Sequence, residues 1–235
     1  MDVARRERAF IRVAGPDAAD YLQRMVSNDV AALAMGEACP ALLLTAKGRV
    51  IAPLVAWRRG GEDFLLLTEP ELGEVVRAHL ARMRLRARCE IEPEEHESVL
   101  VLGGGDGGFA SDWPGARELV DAELEPTLSE AELELRRIEA GVPRWGREID
   151  DRILPAEAGL DETHISFSKG CYPGQEPIAR LHFRGHANRE LRVVELDGDP
   201  EVERVTSEAT RPDGSRVGLA YVRRDAQKKS TTRTG

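Results

Sequence analysis

The residues best placed to do chemistry lie in one stretch, Phe167-Ser168-Lys169-Gly170-Cys171-Tyr172-Pro173-Gly174-Gln175-Glu176-Pro177-Ile178-Ala179-Arg180. Cys171 has glycines on both sides. Beside it stand an aromatic, a Gln-Glu pair and Lys169, one of only four lysines against 29 arginines. Pro173-Gly174 marks a tight turn, and a helix is predicted from Gln175 to His182. A thiol near a helix N-terminus and an ammonium has two reasons to ionise, and the thiolate would serve as a nucleophile, a redox centre or a soft-metal ligand. The other reading is a turn in which Cys171 is a small buried hydrophobe. The residues alone leave both open. His182 and His186 could join Cys171 in a metal site or a Cys/His pair for acyl chemistry. With Gly185 between them, the spacing favours surface or hydrogen-bonding histidines, and no resident metal is expected. His164 and Asp161 have no spacing that marks a triad.

The elements that must position this stretch are signalled along the chain. Gly15-Pro16-Asp17 opens a helix carrying Leu22, Met25, Val26 and Val30 on one face, with Asp17 as N-cap. Ala41 to Thr45 and Val50 to Arg58 form a hairpin through Ala46-Lys47-Gly48-Arg49, followed by a strand from Phe64 to Thr68. A helix from about Pro70 to Met83 is predicted to bury Leu72, Val75, Val76, Leu80 and Met83. Strands near Arg86 to Ile91 and Ser98 to Leu102 follow. Gly103 to Gly108 lacks the Lys-Ser/Thr ending of a phosphate loop and reads as a turn. The acidic run Glu118 to Glu134 reads as a solvated face or connector. Ser129 and Glu132 form a capping box for a helix reaching Gly141. Leu191 to Leu196, Val202 to Ser207 and Val217 to Val222 form a small antiparallel module, and residues 227–235 read as a disordered tail.

The 235 residues are 41% apolar and 32% charged, which excludes a disordered chain, a collagen-like one and a disulfide scaffold. Cys39, Cys89 and Cys171 form no CxxC pair, so a reducing compartment is the expectation, and the charged N-terminus and lack of a spanning run point to the cytoplasm with no membrane partner. A net charge of −9 argues against nucleic acid as a partner.

The string Lys169 to Glu176 resembles the signature of the YgfZ-type folate-binding proteins, relatives of the T-protein (aminomethyltransferase) of glycine cleavage. Supporting matches are Tyr21-Leu22-Gln23, Ser27-Asn28-Asp29-Val30, Leu44 to Val50, Arg137 to Pro143, Ala179-Arg180, Arg184-Gly185 and Leu219 to Val222. The resemblance implies an α+β fold of mainly antiparallel sheets, arranged as a three-domain ring around a channel for reduced folate, with a small C-terminal β-barrel. The corresponding divisions are residues 1–46 plus 135–185 as the core, 47–134 as a ferredoxin-like domain and 186–226 as the barrel. It also implies tetrahydrofolate or another reduced folate as cofactor, and iron–sulfur client or assembly proteins as partners.

In that family function depends on the signature cysteine, here Cys171, with Lys169 beside it. The resemblance places folate against Glu139, Tyr172, Gly174, Gln175 and Arg180. One carboxylate at Glu139 can accept from both the 2-amino group and the ring N–H of a pterin, whereas the bland reading is a charge on a helix's last turn, which the dipole disfavours. Where the T-protein has paired aspartates this chain reads Ala52-Pro53, and Pro40 replaces an aromatic. Neither Ala52 nor Pro53 can transfer a proton, so standard aminomethyl transfer is not expected. The expected function is a folate-binding, cysteine-dependent accessory role in iron–sulfur cluster assembly or repair. The alternatives are a folate-dependent one-carbon transferase and a non-catalytic binding module. A lone cysteine cannot hold a stable cluster, so any cluster would be shared or transient.

Overall fold

The computed structural model describes residues 1–197 and 204–224. The expected disordered tail, and the first residues of the strand expected from Val202, lie outside the described residues. The fold is α+β with three antiparallel sheets. The largest has the order β3-β4-β5-β2-β6, from β2 (Ala9–Ala14), β3 (Ala38–Leu44), β4 (Val50–Arg58), β5 (Asp63–Thr68) and β6 (Glu90–Glu94). Helices α1 (Ala18–Met25) and α2 (Gly73–Met83) cover one face, where Tyr21, Leu22, Val76 and Leu80 pack on Ile11, Val13, Leu54 and Leu66. The alternate residues Phe10, Val55, Leu65 and Leu67 point to the other face and meet Phe109 of a second sheet. Burial on both faces is why β5 reads as an unbroken apolar run.

β2-α1-β4-β5-α2-β6 is a split β-α-β arrangement of ferredoxin-like kind with β3 added at its edge. It occupies residues 9–94, so the boundary expected at 46/47 falls inside the β3–β4 hairpin, whose ladder runs from Ala38↔Trp57 to Leu44↔Val50. The second sheet, β1-β7-β9-β8, is built from β1 (Asp2–Arg5), β7 (Ser98–Leu102), β8 (Phe109–Ala110) and β9 (Arg117–Val120). The third, β10-β12-β11, is built from β10 (Arg189–Glu195), β11 (Arg204–Thr210) and β12 (Arg216–Arg223). It is three-stranded among the described residues, and the expected closed barrel is not formed there. Helix α3 (Glu130–Glu139) starts at the predicted Ser129–Glu132 capping box and lays Leu135 and Ile138 on Val217 and Leu219.

Four local expectations are corrected. Val75 and Met83 are exposed rather than buried, because α2 presents only Val76 and Leu80 to the sheet. Asp17 does not cap α1 with its side chain; its carboxylate is taken by the backbone N–H and guanidinium of Arg88. The strand expected from Arg86 begins at Glu90. Glu118, read as part of a solvated acidic face, is fully buried and accepts a bidentate pair from Arg8 at 2.9 and 3.0 Å.

Candidate functional site

The thiol loop is assembled from three separated segments. Helix α1 ends at Met25, and Val26 turns extended to bridge Leu43. The following turn is a hub of hydrogen bonds. Ser27 Oγ donates to the His164 carbonyl at 2.6 Å and accepts from Leu42 N at 2.8 Å, and Ser166 N donates to the Ser27 carbonyl. Asn28 Nδ2 donates to the carbonyls of Pro40 and Thr163. Lys169 is buried, and its Nζ donates to the Val26 and Asn28 carbonyls, each at 2.7 Å, while lying 5.4 Å from the centre of the Tyr172 ring. Burial pulls its pKa down to about 8, opposed by the charge of Asp29 and by Cys39.

Downstream of the thiol the loop is held just as firmly. Tyr172 packs its ring in the cluster of Leu42, Leu44, Val50 and Ile178, and its hydroxyl is buried without a hydrogen-bond partner among the described residues. Gly174 adopts φ +83° and lies against the tip of the β3–β4 hairpin; a Cβ there would sit 2.5 Å from the Thr45 carbonyl oxygen and 3.1 Å from Gly48 Cα. Helix α4 (Gln175–Arg184) starts immediately beyond, and Arg180 pairs with Glu176 on its exposed face. Between these anchors Cys171 is exposed. The residue is thus solvent-accessible on a backbone pinned on both sides, and the reading of Cys171 as a buried hydrophobe does not hold. Lys169 directs its donors to two main-chain carbonyls. The other two cysteines are screened by the fold, with burial pushing Cys39 up to about 12 and raising Cys89 as well.

His164 belongs to the scaffold of this loop. Its ring is buried, with Nδ1 2.8 Å from Thr163 Oγ1, and burial pulls its pKa down to about 4. Between the ordinary value of about 6.5 and 4, the unfolded chain binds a proton that the folded chain refuses. Stability contributed by neutral His164 is thus intact above this window and falls with pH through it by about 1.4 kcal/mol per pH unit. Urea unfolding of wild type and His164→Asn across the window should show a steeper acid loss in wild type. Parallel curves would remove His164 from the acid response.

A separate cleft of about 760 Å3 opens between the N-terminal linker, α3, the 142–147 turn and β11. Trp113, Leu133 and Val142 give it an apolar wall, Glu7, Glu69 and Glu130 supply carboxylates, and Arg144 and Arg147 stand at it exposed, without a side-chain hydrogen bond or ion pair among the described residues but near enough to Glu134 to help lower its pKa. Its volume lies within the range of small-molecule sites. Carboxylates can accept from the amino edge of a pterin and arginines can pair with a carboxylate tail, so this donor set fits a folate. Glu139, Tyr172, Gly174, Gln175 and Arg180 do not line the cleft. Glu139 sits at the end of α3 with its carboxylate held by Arg211 at 2.8 Å. Ala52 is buried in the helix-covered core, and Pro53 lies in β4, its carbonyl accepting from the Thr68 hydroxyl. Sequence reasoning passed over Arg144 and Arg147; their signal was position, directly after the Arg137 to Pro143 match, lost among so many other arginines.

The comparisons with known proteins agree with this architecture. Residues 3–104 match the GCVT N-terminal domain family. An iron–sulfur cluster assembly factor IBA57 homolog of Pyricularia oryzae is 30% identical, over 94% of this chain and 66% of that protein. A tRNA-modifying protein YgfZ of Vibrio atlanticus is 26% identical, over 87% of this chain and 75% of its own length. The crystal structure of the glycine cleavage system aminomethyltransferase T from Bartonella henselae superposes with a TM-score of 0.75 at 18% identity, over 92% of this chain and 76% of that one. The matches in sequence and fold, together with the convergence of the 26–29, 44–50 and 169–176 segments around one exposed thiol, make this chain a YgfZ-type member of the GcvT-like superfamily.

Proposed function

We propose that this protein is a folate-binding accessory factor for iron–sulfur cluster assembly or repair, acting through Cys171. The observation that carries the reading is the exposed thiol on a loop locked by Lys169 and Gly174. A merely structural cysteine needs neither exposure nor such fixation; a group that must meet a partner's cluster or a one-carbon fragment needs both. The resemblance to an iron–sulfur cluster assembly factor over nearly the whole chain supports the same reading.

In this proposal the three sheets and their helices correspond to the three-domain arrangement around the cleft, and the cleft takes the folate. Arg144 and Arg147 pair with its carboxylate tail, and a carboxylate such as Glu130 accepts from the pterin edge. Bound reduced folate supplies one-carbon carrying capacity. The chain's own groups orient it, and no acid stands at 52–53 to drive aminomethyl transfer. Cys171 offers a single sulfur ligand, so in this reading any cluster is held jointly with a partner.

The test compares wild type, Cys171→Ala and Arg144→Glu/Arg147→Glu. Calorimetric titration with tetrahydrofolate under anaerobic conditions should show binding by the first two and its loss in the third. Support of an iron–sulfur enzyme in a strain lacking this protein should fail with Cys171→Ala despite an unchanged fold. Full support by that variant would refute the role of the thiol, and folate binding unaffected by the arginine pair would move the ligand out of the cleft.

A further inference from the structure

Residues 75–89 contain five arginines, one histidine and no Asp or Glu, in a chain with 42 acidic residues. The segment is the outer stripe of α2 and the turn that follows it. Val75, His79 and Arg82 share one helix face at positions i, i+4 and i+7. Val75 is 45% exposed, Met83 41% and Leu85 87%. Leu85 projects from a backbone at φ +50°, a conformation that a branched side chain adopts at a cost. Nothing in the fold gains from this, since the side chain touches no core. Around these apolar tips stand Arg82, Arg84 and Arg86, all exposed. Arg82 approaches only His79, Arg84 donates to the Cys89 carbonyl, and none of the three has a carboxylate partner among the described residues. Arg77 and Arg88, by contrast, are neutralised by Glu74 and Asp17. The adjacent acids Glu90 and Glu92 do not screen the patch: Ile91 packs in the helix-covered core, so its neighbours on β6 point to the opposite face of the sheet.

We propose that the outer stripe of α2 and the Arg82–Arg86 turn dock onto the headgroup region of an anionic lipid bilayer. Alternating cations and single apolar tips suit a surface that offers negative charge above hydrocarbon and demands no shape complementarity. A nucleic acid would meet the arginines but leave Met83 and Leu85 against a polar groove, and the segment has no aromatic ring on which bases could stack. No helix among the described residues is long and apolar enough to cross a membrane, and surface docking requires none.

The experiment is co-sedimentation of the full chain with phosphatidylglycerol/phosphatidylcholine vesicles and with phosphatidylcholine alone. The expected result is binding only to the anionic vesicles, weakened by salt. Arg86→Gln should lower the partition about fivefold, and Arg82→Gln/Arg84→Gln/Arg86→Gln should abolish it. Leu85→Gly should also weaken binding while leaving Tm unchanged or higher, because glycine relieves the positive φ. Failure of wild type to sediment with anionic vesicles would overturn the proposal. So would undiminished binding by the triple variant, or loss in that variant of binding to a short RNA in place of vesicle binding.

Discussion

Replacing Glu148 by alanine is expected to cost about 3–5 kcal/mol. The Glu148 carboxylate is buried and closes a network spanning three parts of the chain. One oxygen accepts from Arg137 Nη1 and from the Arg144 backbone N–H, both at 3.0 Å, and the other accepts from the Ser207 hydroxyl at 2.7 Å. Arg137, equally buried, also donates to the Val142 carbonyl, to Ser207 and to Glu134. The Glu148 carbonyl accepts from the Tyr221 hydroxyl. Truncation leaves the Arg137 cation short of its innermost counter-charge and frees the 144–149 turn from β11, so the wall of the cleft loosens together with the C-terminal sheet. Urea unfolding should show a lower midpoint at an unchanged slope. Arg137→Met combined with Glu148→Leu should recover much of the loss, since two apolar groups need no partner. A loss below about 1 kcal/mol for Glu148→Ala would mean that water from the cleft solvates Arg137 instead.

Gly174→Ala is expected to lose about 2–4 kcal/mol, from a left-handed backbone and a steric overlap together. The added carbon would approach the Thr45 carbonyl oxygen to 2.5 Å, a main-chain atom held in the hairpin by Gly48 N and unable to swing aside. The loop can then keep its contact with Gly48 or its helix start, but not both. The functional consequence should exceed the thermodynamic one. Alkylation of Cys171 should become faster in the variant as the loop detaches, while support of an iron–sulfur enzyme falls. Unchanged alkylation and an unchanged unfolding midpoint would show that the hairpin tip yields to the methyl group. Gly36, also at positive φ but with nothing near its missing Cβ, provides the control for backbone strain alone.

The parts of this fold that were legible are those governed by local pattern. The β3–β4 hairpin, α3 with its Ser129 cap and the thiol-bearing turn into α4 follow from turn residues and hydrophobic periodicity, which act within a few positions. What was not legible depends on distant partners. Glu118 reads as one acid in a solvated run until Arg8 meets it across the sheet interface. Val75 and Met83 have helical spacing for burial, yet the sheet is covered before reaching them. The thiol was readable and its setting was not. Lys169 suggested a cation beside a thiolate, whereas its ammonium is used to tie the loop to the turn after α1. Glu139 had the right chemistry for a pterin edge, and Arg211, 72 residues further on, engages it. Arg144 and Arg147 acquire meaning only from the cleft they border.

The contacts of Lys169 also bear on how the molecule comes into being. Its acceptors, the carbonyls of Val26 and Asn28, precede it by 143 and 141 residues. During synthesis the sheet built from residues 9–94 can form with both oxygens still waiting, and the thiol gains its setting only when the chain beyond α4 has left the ribosome. Closing so long a segment is slow relative to the local hairpins and helices. Assembly of this loop therefore follows that of the 9–94 sheet, and the thiol reaches its setting late, in the same stage as the C-terminal sheet docks on α3 and the 144–149 turn.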